Sequence, residues 1–402
     1  MRLYIFEDFA INNLVPITYT RPGFEIRCGT FTCIERLIRN LPKARISLIV
    51  RESIAEFVRE KYPEFDVNPR NIEDGIWMLG NVLWLKKDID YIVKSNNQVF
   101  KSENRIIAAN LNAKEGIDWI NKGGPLKNRT LNKDFSTKKL SSRVINYLWD
   151  VVLHNPSQIS EDYFFFKNEE NKNDFEKKNV IAPERIYADP LSHINSNVIL
   201  DATNGEIIIE KHAIIKSFSY IEGPAFIGEN TLILPYSYLR QGTSIGPFCN
   251  ISGELSQTII QSWTNKSHYG YLGHSYIGEW VNLGAGTTSS NLKNNYSDIR
   301  IIINGSIINT KIKKLGCFIG DYSKTSIGTC LNTGTVIGPS CNIVTKILPP
   351  KFLPPFTWFI NDKSSKYEWD SFINSMEIIR KRKGMILSNH EEAMIKNIYF
   401  DF

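Results

Sequence analysis

The residues best suited to acid–base chemistry lie together in one segment, residues 256–273 (SQTIIQSWTNKSHYGYLG). It contains Lys266, His268, Tyr269 and Tyr271. An imidazole titrates near neutral pH, so His268 could accept a proton from a substrate under physiological conditions. A histidine in a solvated surface loop is the alternative, and the pattern around the segment has to decide between the two.

This segment interrupts a regular six-residue repeat. An aliphatic residue recurs every sixth position, and a small residue usually follows four positions later. Period six is typical of a parallel β-helix, in which three hexapeptides close one triangular coil, whereas a β-sandwich would show period two. One hexapeptide cannot bury its own aliphatic side chain, so only a stack of coils is stable. The aliphatic residues before the interruption are Ile209, Ile215, Ile221, Ile227, Ile233, Leu239, Ile245 and Ile251.

The frame of the repeat slips by two residues between Ile251 and Tyr271. Where a regular scaffold loses its register we expect a loop or bulge, and functional residues are concentrated in such places. The position of the slip therefore favours a functional site at His268.

Residues 265–287 resemble the acetyltransferase domain of the bifunctional N-acetylglucosamine-1-phosphate uridylyltransferase / glucosamine-1-phosphate N-acetyltransferase family. That family has a G-H-L-T-Y-L-G-D-A-x-I-G-x-x-V-N-I-G-A-G-T run. This chain has SHYGYLG at residues 267–273, Ile277-Gly278, and VNLGAGT at residues 281–287.

The resemblance implies a role for several residues. His268 would be the general base, and the Ala285 backbone would face the acetyl thioester. Ser252-Gly253-Glu254 stands where the family has a substrate lysine, so Glu254 could instead bind an amine or a hydroxyl. The residues that would contact an amino-sugar phosphate are Arg240, Tyr271, Asn282 and Asn291.

Acetyl transfer to an amine requires an unprotonated amine aimed at the thioester carbonyl. A histidine can take the amine proton, and backbone N–H groups at a coil corner can hold the oxyanion. The resemblance implies acetyl-CoA as the donor. A basic corner that includes Lys313 and Lys314 could meet the phosphates of coenzyme A, or it is a solvated strand end.

The N-terminal third alternates predicted strands and helices. Strands are expected at Leu3–Phe6, Arg45–Val50 and Ile76–Leu79, with helices opened by Thr32 with Glu35 and by Ser53 with Glu56. This order predicts a parallel, doubly wound, Rossmann-like sheet whose ligands lie at the carboxyl ends of the strands. The connection after the first strand, residues 8–27, would then be a binding loop.

That loop resembles part of the sugar-1-phosphate nucleotidyltransferase signature. Residues 14–18 (LVPIT) and Arg21-Pro22 match it, but Glu7-Asp8-Phe9-Ala10 replaces the glycine-rich phosphate loop. Arg21 and Arg27 could hold phosphate. Asn81 stands nearest to the family's metal-binding aspartate and is a poorer Mg²⁺ ligand, because it carries no charge. The domain is either an active nucleotidyltransferase that uses Mg²⁺ or a domain that only positions, regulates or binds.

We divide the chain into a nucleotidyltransferase-like domain (1–160), a charged linker (161–180), a left-handed β-helix (181–350) and a C-terminal helical cap (351–402). A helix at residues 140–153 carries Trp149-Asp150 and resembles a linker helix of such enzymes. Two C-terminal helices, one with Trp369 and one capped by Ser388, are expected to cover the end of the β-helix.

Composition narrows the class of protein. A net charge of +6 over 402 residues is too small and dispersed to indicate nucleic-acid binding. Six scattered cysteines fit a reducing compartment. The absence of a signal peptide or a long apolar stretch predicts a cytoplasmic protein with no membrane contact.

The sequence thus predicts a homotrimeric transferase of sugar-nucleotide biosynthesis, of the kind that supplies cell-envelope precursors. It would move an acetyl group from acetyl-CoA to an amino-sugar 1-phosphate, with possible nucleotidyl transfer from UTP or dTTP to give a UDP- or dTDP-sugar. One alternative is a nucleotidyltransferase whose β-helix only oligomerises it. Others are a non-catalytic sugar-nucleotide sensor and a metal hydratase using His212, His268 and His274.

Overall fold

A computed structural model describes residues 1–103, 105–131, 136, 138–167 and 179–402. The charged run of the predicted linker is residues 167–178, of which all but Lys167 lie outside the described residues. The first two residues of that linker belong to a helix that ends at Asp162. The α-helices of the described residues are α1 (Cys33–Asn40), α2 (Glu52–Lys61), α3 (Lys86–Lys94), α4 (Ala113–Asn121), α5 (Leu148–Asp162), α6 (Trp369–Arg382) and α7 (Asn389–Asp401). Short 3-10 helices are Phe9–Leu14, Ile17–Tyr19, Gly23–Glu25, Pro125–Lys127, Tyr163–Phe165 and Pro183–Arg185.

The N-terminal domain is built on a six-stranded sheet. Its first strands pair in parallel, as predicted, but the expectation of a fully parallel sheet is wrong at one edge, where Arg105–Leu111 runs antiparallel to both of its neighbours. Arg105–Leu111 follows Val99–Ser102 too closely in sequence for a parallel crossover, which needs a dozen or more residues. In spatial order the strands are Asp66–Val67, Arg45–Ile49, Arg2–Phe6, Gly75–Leu79, Arg105–Leu111 and Val99–Ser102.

Helix boundaries in this domain follow capping and tertiary pairing. The predicted capping box of Thr32 and Glu35 opens α1. The predicted cap at Ser53 is wrong, because α2 begins at Glu52. A helix at residues 140–153 is also wrong. Arg143–Val144 instead forms a strand that pairs with Val82–Leu83. Asp150 accepts hydrogen bonds from the backbone N–H groups of Asn146 and Tyr147, so α5 starts only at Leu148.

Residues 180–360 form the predicted left-handed parallel β-helix, with three faces. The inward-facing aliphatic side chains of the repeat are fully buried. The strands of the first face are Val180–Ile181, Ile199–Asp201, Tyr220–Glu222, Tyr238–Leu239, Glu254–Ser256 and Tyr271–Gly273. Those of the second are Ile186–Ala188, Ile207–Ile209, Ala225–Ile227, Thr243–Ile245, Ile259–Ser262, Tyr276–Glu279, Cys317–Ile319, Thr335–Ile337 and Phe352–Leu353. Those of the third are His193–Ile194, Ile214–Ile215, Leu232–Ile233, Asn250–Ile251, Asn265–Lys266, Asn282–Leu283, Lys324–Thr325, Asn342–Val344, Thr357–Ile360 and the antiparallel Lys363–Lys366.

Short two-stranded pairs complete the fold. They are Arg27–Cys28 with Phe31–Thr32, Thr288–Ser289 with Cys330–Leu331, and the hairpin Arg300–Ile303 with Ser306–Asn309.

The predicted slip is a shortened coil. On the third face Leu232 pairs with Asn250, eighteen residues later, but Asn250 pairs with Asn265, only fifteen residues later. The corner between the third and first faces loses residues here: only Ser252 and Gly253 separate the two strands. The chain therefore breaks its frame by deletion at the corner, not by the added loop or bulge that we expected.

The N-terminal domain packs on the second face of the β-helix, where α5 contacts it. The C-terminal helices lie at the corner between the second and third faces and also contact α2. The expectation that they cover the end of the stack is therefore wrong. Strand Lys363–Lys366 pairs with the last coil instead. None of the helices in the described ranges is long and apolar enough to cross a membrane.

Candidate active site

A cavity of about 710 Å³ opens on the third face of the β-helix. We call it the third-face cavity. Its floor is a row of outward-facing side chains from successive coils, which the strand register places in line. Helix α6 closes one side. The cavity is lined by Asn250, Trp263, Asn265, Ser267, His268, Trp280, Asn282, Leu283, Gly284, Ala285, Lys324, Ile327, Ile379, Arg382 and Lys383.

His268 lies at the rim of this cavity, exposed, in the four-residue corner that joins the third face to the first. We call residues 267–270 the His268 corner. Gly270 ends the corner at φ +129°, and a Cβ there would lie 2.2 Å from the Thr287 carbonyl oxygen, so the tight approach of the next coil requires glycine. The structure thus brings together three residues from the sequence prediction: His268, Asn282 and Ala285.

The charged side chains that line the cavity are all cationic. Lys324, Arg382 and Lys383 contribute positive charge, and no aspartate or glutamate is among the lining residues. Lys324 stands in register with Asn282, half-buried, and burial lowers its pKa. Such an arrangement favours an anionic ligand, because cations and hydrogen-bond donors with no protein carboxylate to pair with are the groups that bind phosphate.

The other predicted substrate residues gather on the first face. Tyr271 stands in register with Glu254, and Arg240 Nη1 lies 3.2 Å from Glu254 Oε1. Asn291 Nδ2 donates to the Tyr271 hydroxyl at 2.9 Å and lies 2.9 Å from His274 Nδ1. This group does not line the third-face cavity. The predicted site residues therefore form two sets, with the His268 corner between them.

His274 belongs to the first-face set. Burial lowers its pKa to about 4, and the positive charges of Lys314 and Arg240 act in the same direction. The imidazole is therefore neutral near pH 7, which suits it to hydrogen bonding with Asn291 rather than to carrying charge.

The predicted coenzyme-binding lysines are not among the residues that line the third-face cavity with Ala285. Lys313 and Lys314 are exposed, and the positive charge of Lys314 helps to lower the pKa of His274, which belongs to the first-face set. The cations of the cavity are instead Lys324, Arg382 and Lys383, which the sequence argument missed. The insertion at residues 290–316 hid the register of Lys324 with Asn282. The basic run at residues 381–383 was visible as a possible anion contact, but its helix was expected at the end of the β-helix and not beside the third-face cavity.

The predicted phosphate-binding loop of the N-terminal domain is engaged with protein groups. We call residues 8–27 the Arg21 loop. The Arg21 guanidinium is buried between Glu279 Oε1, 3.0 Å from Nη1, and Asp321, both on the β-helix. Thr20 also donates to Asp321, at 2.6 Å. Burial alone would lower the pKa of Arg21, but the two carboxylates outweigh it and hold the pKa well above its usual value. Arg21 is therefore an interdomain anchor and not a phosphate ligand.

Arg27 and Asn81 are also in use. Both are buried, Arg27 donates to the Thr30 carbonyl, and Asn81 Nδ2 donates to the Ile145 carbonyl at 2.7 Å. Asn81 would offer Mg²⁺ an uncharged amide oxygen, which is a poorer ligand than the carboxylate of the nucleotidyltransferase signature. Within the described ranges, no group of three or more His, Cys, Asp or Glu side chains is arranged to hold a metal ion.

Comparison with known proteins fits this two-part architecture. Residues 3–171 match a protein-family model described as "Sugar nucleotidyl transferase". The bifunctional sugar-1-phosphate nucleotidylyltransferase/acetyltransferase of Sulfurisphaera tokodaii is 36% identical over 164 residues, which cover 39% of each chain. The bifunctional protein GlmU of Methanocaldococcus jannaschii is 33% identical over 164 residues, 39% of this chain and 38% of that protein.

Among solved structures, the UDP-N-acetylglucosamine acyltransferase of Francisella novicida aligns with 55% of this chain and 78% of its own, at a TM-score of 0.28 and 15% identity, a likeness too slight to argue from. The chain spans about two fifths of the length of the curated relatives it matches. With a sugar nucleotidyl transferase match in its N-terminal domain and a hexapeptide β-helix behind it, the chain resembles the bifunctional sugar-1-phosphate nucleotidylyltransferase/acetyltransferase family.

Proposed function

We propose that this protein transfers the acetyl group of acetyl-CoA to the amine of an amino-sugar 1-phosphate, in the cytoplasm and as a step of sugar-nucleotide biosynthesis. One observation carries the proposal: His268 stands at the rim of a cavity whose charged lining residues are three cations and no carboxylate. Both proposed substrates carry phosphate. The names of the bifunctional relatives support the same class of reaction.

In this reaction the amine attacks the thioester carbonyl carbon, a C–N bond forms, and the C–S bond breaks. His268 takes the proton released by the amine, and the departing thiolate is protonated to the free thiol. The Ala285 N–H donates to no protein group among the described residues, whereas the N–H groups of Gly284 and Gly286 bond to Thr325 and Tyr269. The Ala285 N–H is therefore available to the oxyanion.

The cations of the third-face cavity would hold phosphate groups, with Lys324 in register with Asn282 and with Arg382 and Lys383 at the C-terminal end of α6. Asn282, on the same floor, would contact the sugar or the acyl carrier. On the first face Arg240, Glu254, Tyr271 and Asn291 would bind amino-sugar phosphate. For a single chain these two sets lie on different faces, on either side of the His268 corner.

A homotrimer would bring the two sets together, because the first face of one subunit could meet the cavity of the next. Exposed aromatic side chains on these corners support an interface: Phe218 and Tyr236 stack on each other and are 55% and 75% exposed, and Tyr269 beside His268 is 72% exposed. Light scattering on the purified protein tests this, and a monomeric mass at assay concentration would contradict it.

The experiment for the function is thiol release from acetyl-CoA in the presence of glucosamine 1-phosphate or galactosamine 1-phosphate. The matched control is N-acetylglucosamine 1-phosphate, which keeps the phosphate but offers no free amine. We expect release with at least one amine and none with the control. No release with either amine, or equal release with the control, would contradict the proposal.

Nucleotidyl transfer from UTP or dTTP is the second candidate, and the family match over residues 3–171 favours it. The Arg21 loop argues against it, since Arg21 is taken up by two buried carboxylates. Pyrophosphate release from UTP or dTTP with a sugar 1-phosphate and Mg²⁺ tests this activity separately. Pyrophosphate without thiol release would make the β-helix only an oligomerisation element, and nucleotide-sugar binding without either product would indicate a sensor.

A further inference from the structure

We infer that Lys266 is a positioning residue for the proposed acetyl transfer, and that its buried ammonium holds the backbone corner from which His268 is presented. This inference rests on the proposed function and adds a residue that the resemblance does not supply. It follows from where Lys266 lies, from what its ammonium contacts, and from what is missing in the shortened coil.

Lys266 occupies a position that the repeat reserves for an aliphatic residue. It stands in register with Ile251 on the third face, and Ile251 in turn with Ile233. Its side chain points into the prism and is only 1% exposed. A lysine in an aliphatic stack is unfavourable unless its ammonium finds acceptors.

In regular coils a serine hydroxyl does the corresponding work at the corner between the third and first faces. Ser219 Oγ lies 2.9 Å from the Lys216 carbonyl oxygen and 3.1 Å from that of Leu234, and its one proton, which the two carbonyls share, links two successive corners. Ser237 repeats this one coil later, donating to Leu234 at 2.6 Å and to Ile251 at 3.5 Å. Each serine lies between a carbonyl of its own corner and a carbonyl of the next coil.

The shortened corner has lost this serine. Only Ser252 and Gly253 follow Ile251, and in the coil after it the serine position is held by Gly270. Lys266 Nζ fills the gap: it donates to the carbonyl of Ser252 at 2.9 Å and to that of His268 at 2.8 Å. The ammonium thus links two successive corners in the way the serines do, and the second of them is the His268 corner.

Gly253 makes room for this contact. It has φ +86°, and a Cβ there would lie 2.8 Å from Lys266 Nζ and 2.6 Å from the Gly270 carbonyl oxygen. The deletion, the glycine and the lysine form one arrangement. Burial lowers the pKa of Lys266 to about 8, because taking the charged ammonium out of water is unfavourable. A neutral hydroxyl at this corner would avoid that desolvation cost. What the hydroxyl does not supply is the long reach from the prism to the His268 carbonyl.

The test compares Lys266→Met with Ser237→Ala. Methionine keeps the length and apolar stem of lysine but not the ammonium. Ser237→Ala removes the same kind of link one corner earlier, away from His268. We expect kcat for thiol release to fall about 10- to 100-fold in Lys266→Met with KM within about threefold, since a misplacement of about 1 Å can cost about 10²-fold. Ser237→Ala should keep kcat within about twofold, although its stability falls.

Hydrogen exchange supplies a readout that does not depend on activity. Exchange at the amides of residues 267–270 should rise at least about tenfold in Lys266→Met and stay unchanged in Ser237→Ala. If Lys266→Met does not fold, Lys266→Leu, which also lacks a donor and matches the aliphatic residues stacked in the prism, carries the same two measurements.

Unchanged exchange at residues 267–270, or a wild-type kcat in the folded Lys266 variant, would overturn the inference. If the wild-type protein releases no thiol, the proposed function fails, and the exchange measurement still decides whether Lys266 holds the corner.

Discussion

Two connections of this protein sit where ligands are expected, and they differ in what satisfies their polar groups. The Arg21 loop follows the first strand of an α/β sheet, and the His268 corner lies where the β-helix is shortened. Next to the loop, buried Glu7 accepts hydrogen bonds from the Gly23 N–H and from Arg51, and within it Arg21 is fixed between carboxylates of the β-helix. At the corner, His268 is exposed and the nearby cations line a cavity without a carboxylate.

The difference shows how to separate a structural cation from a binding one. If an arginine in a buried ion pair moved to bind a ligand, its carboxylate partners would stay buried as unpaired charges, which is strongly unfavourable. Lys324, Arg382 and Lys383 have no salt-bridge partner in the described part of the chain, so a phosphate would be their first strong acceptor. In both regions the sequence offered a family motif and residues suited to binding. The presence or absence of buried carboxylates around the cation tells a structural cation from a binding one.

The largest effect should come from His268→Ala. We expect kcat for thiol release to fall about 10²- to 10⁴-fold, because the variant removes the general base. His193→Ala is the matched control, an exposed histidine on the same face but outside the cavity, and it should retain wild-type kcat. An equal kcat in wild type and His268→Ala would show that His268 is not the general base.

Breaking the other side of the comparison should cost stability. Arg21→Met should lower the free energy of unfolding by about 3–5 kcal/mol, since it leaves Glu279 and Asp321 buried without their partner. Urea unfolding measures this. Arg45→Met removes an arginine whose carboxylate partners are surface-exposed and should cost no more than about 1 kcal/mol. A loss for Arg21→Met as small as that of its control would show that the loop is not an anchor.

Lys266 should make stability depend on pH. Its folded pKa of about 8 lies below the ordinary 10.5, so the folded state disfavours the charged form. The free-energy cost of burying the charged ammonium is fully present below pH 8. Between pH 8 and 10.5 the unfolded chain still binds the proton and the folded chain does not, so stability rises with pH over that range. Over that window the wild type should gain up to about 3 kcal/mol relative to Lys266→Met, because one pKa unit corresponds to about 1.4 kcal/mol. Parallel stability curves for the two proteins would contradict this assignment.

The smallest effect should be on substrate binding in the cavity. Lys324→Met removes one charge-assisted hydrogen bond, worth about 1.5–3 kcal/mol, so KM for a phosphate-bearing substrate should rise about 10- to 100-fold. Lys216→Met, at the corner that follows an earlier strand of the same face and outside the cavity, serves as the control. If KM is unchanged for both acetyl-CoA and the sugar phosphate, Lys324 is not a phosphate ligand.

Much of the fold could be predicted from the sequence. The ladder from Ile209 to Ile251 specifies the β-helix because its period matches no other regular structure, and Thr32 with Glu35 specifies a helix start through local hydrogen bonds. Predictions failed where tertiary pairing overrides local pattern: residues 143–144 became a strand because Val82–Leu83 pairs with them.

The site could be predicted only in part. A motif and a lost register located His268, Asn282 and Ala285, because these are properties of neighbouring residues along the chain. The role of Arg21 depended on Asp321, three hundred residues away, and the cavity cations came from an insertion-shifted strand and from α6. Such contacts are set by how domains pack, and the spacing of residues carries no signal for them.

A crystal structure of the protein with coenzyme A and an amino-sugar 1-phosphate would test the central claim most directly. We predict that coenzyme A lies in the third-face cavity, with its phosphates on Lys324, Arg382 or Lys383 and its thiol next to Ala285 and His268. The Arg21 loop should keep its contacts with Glu279 and Asp321. Coenzyme A bound elsewhere, with the cavity empty and His268 far from either ligand, would contradict the account.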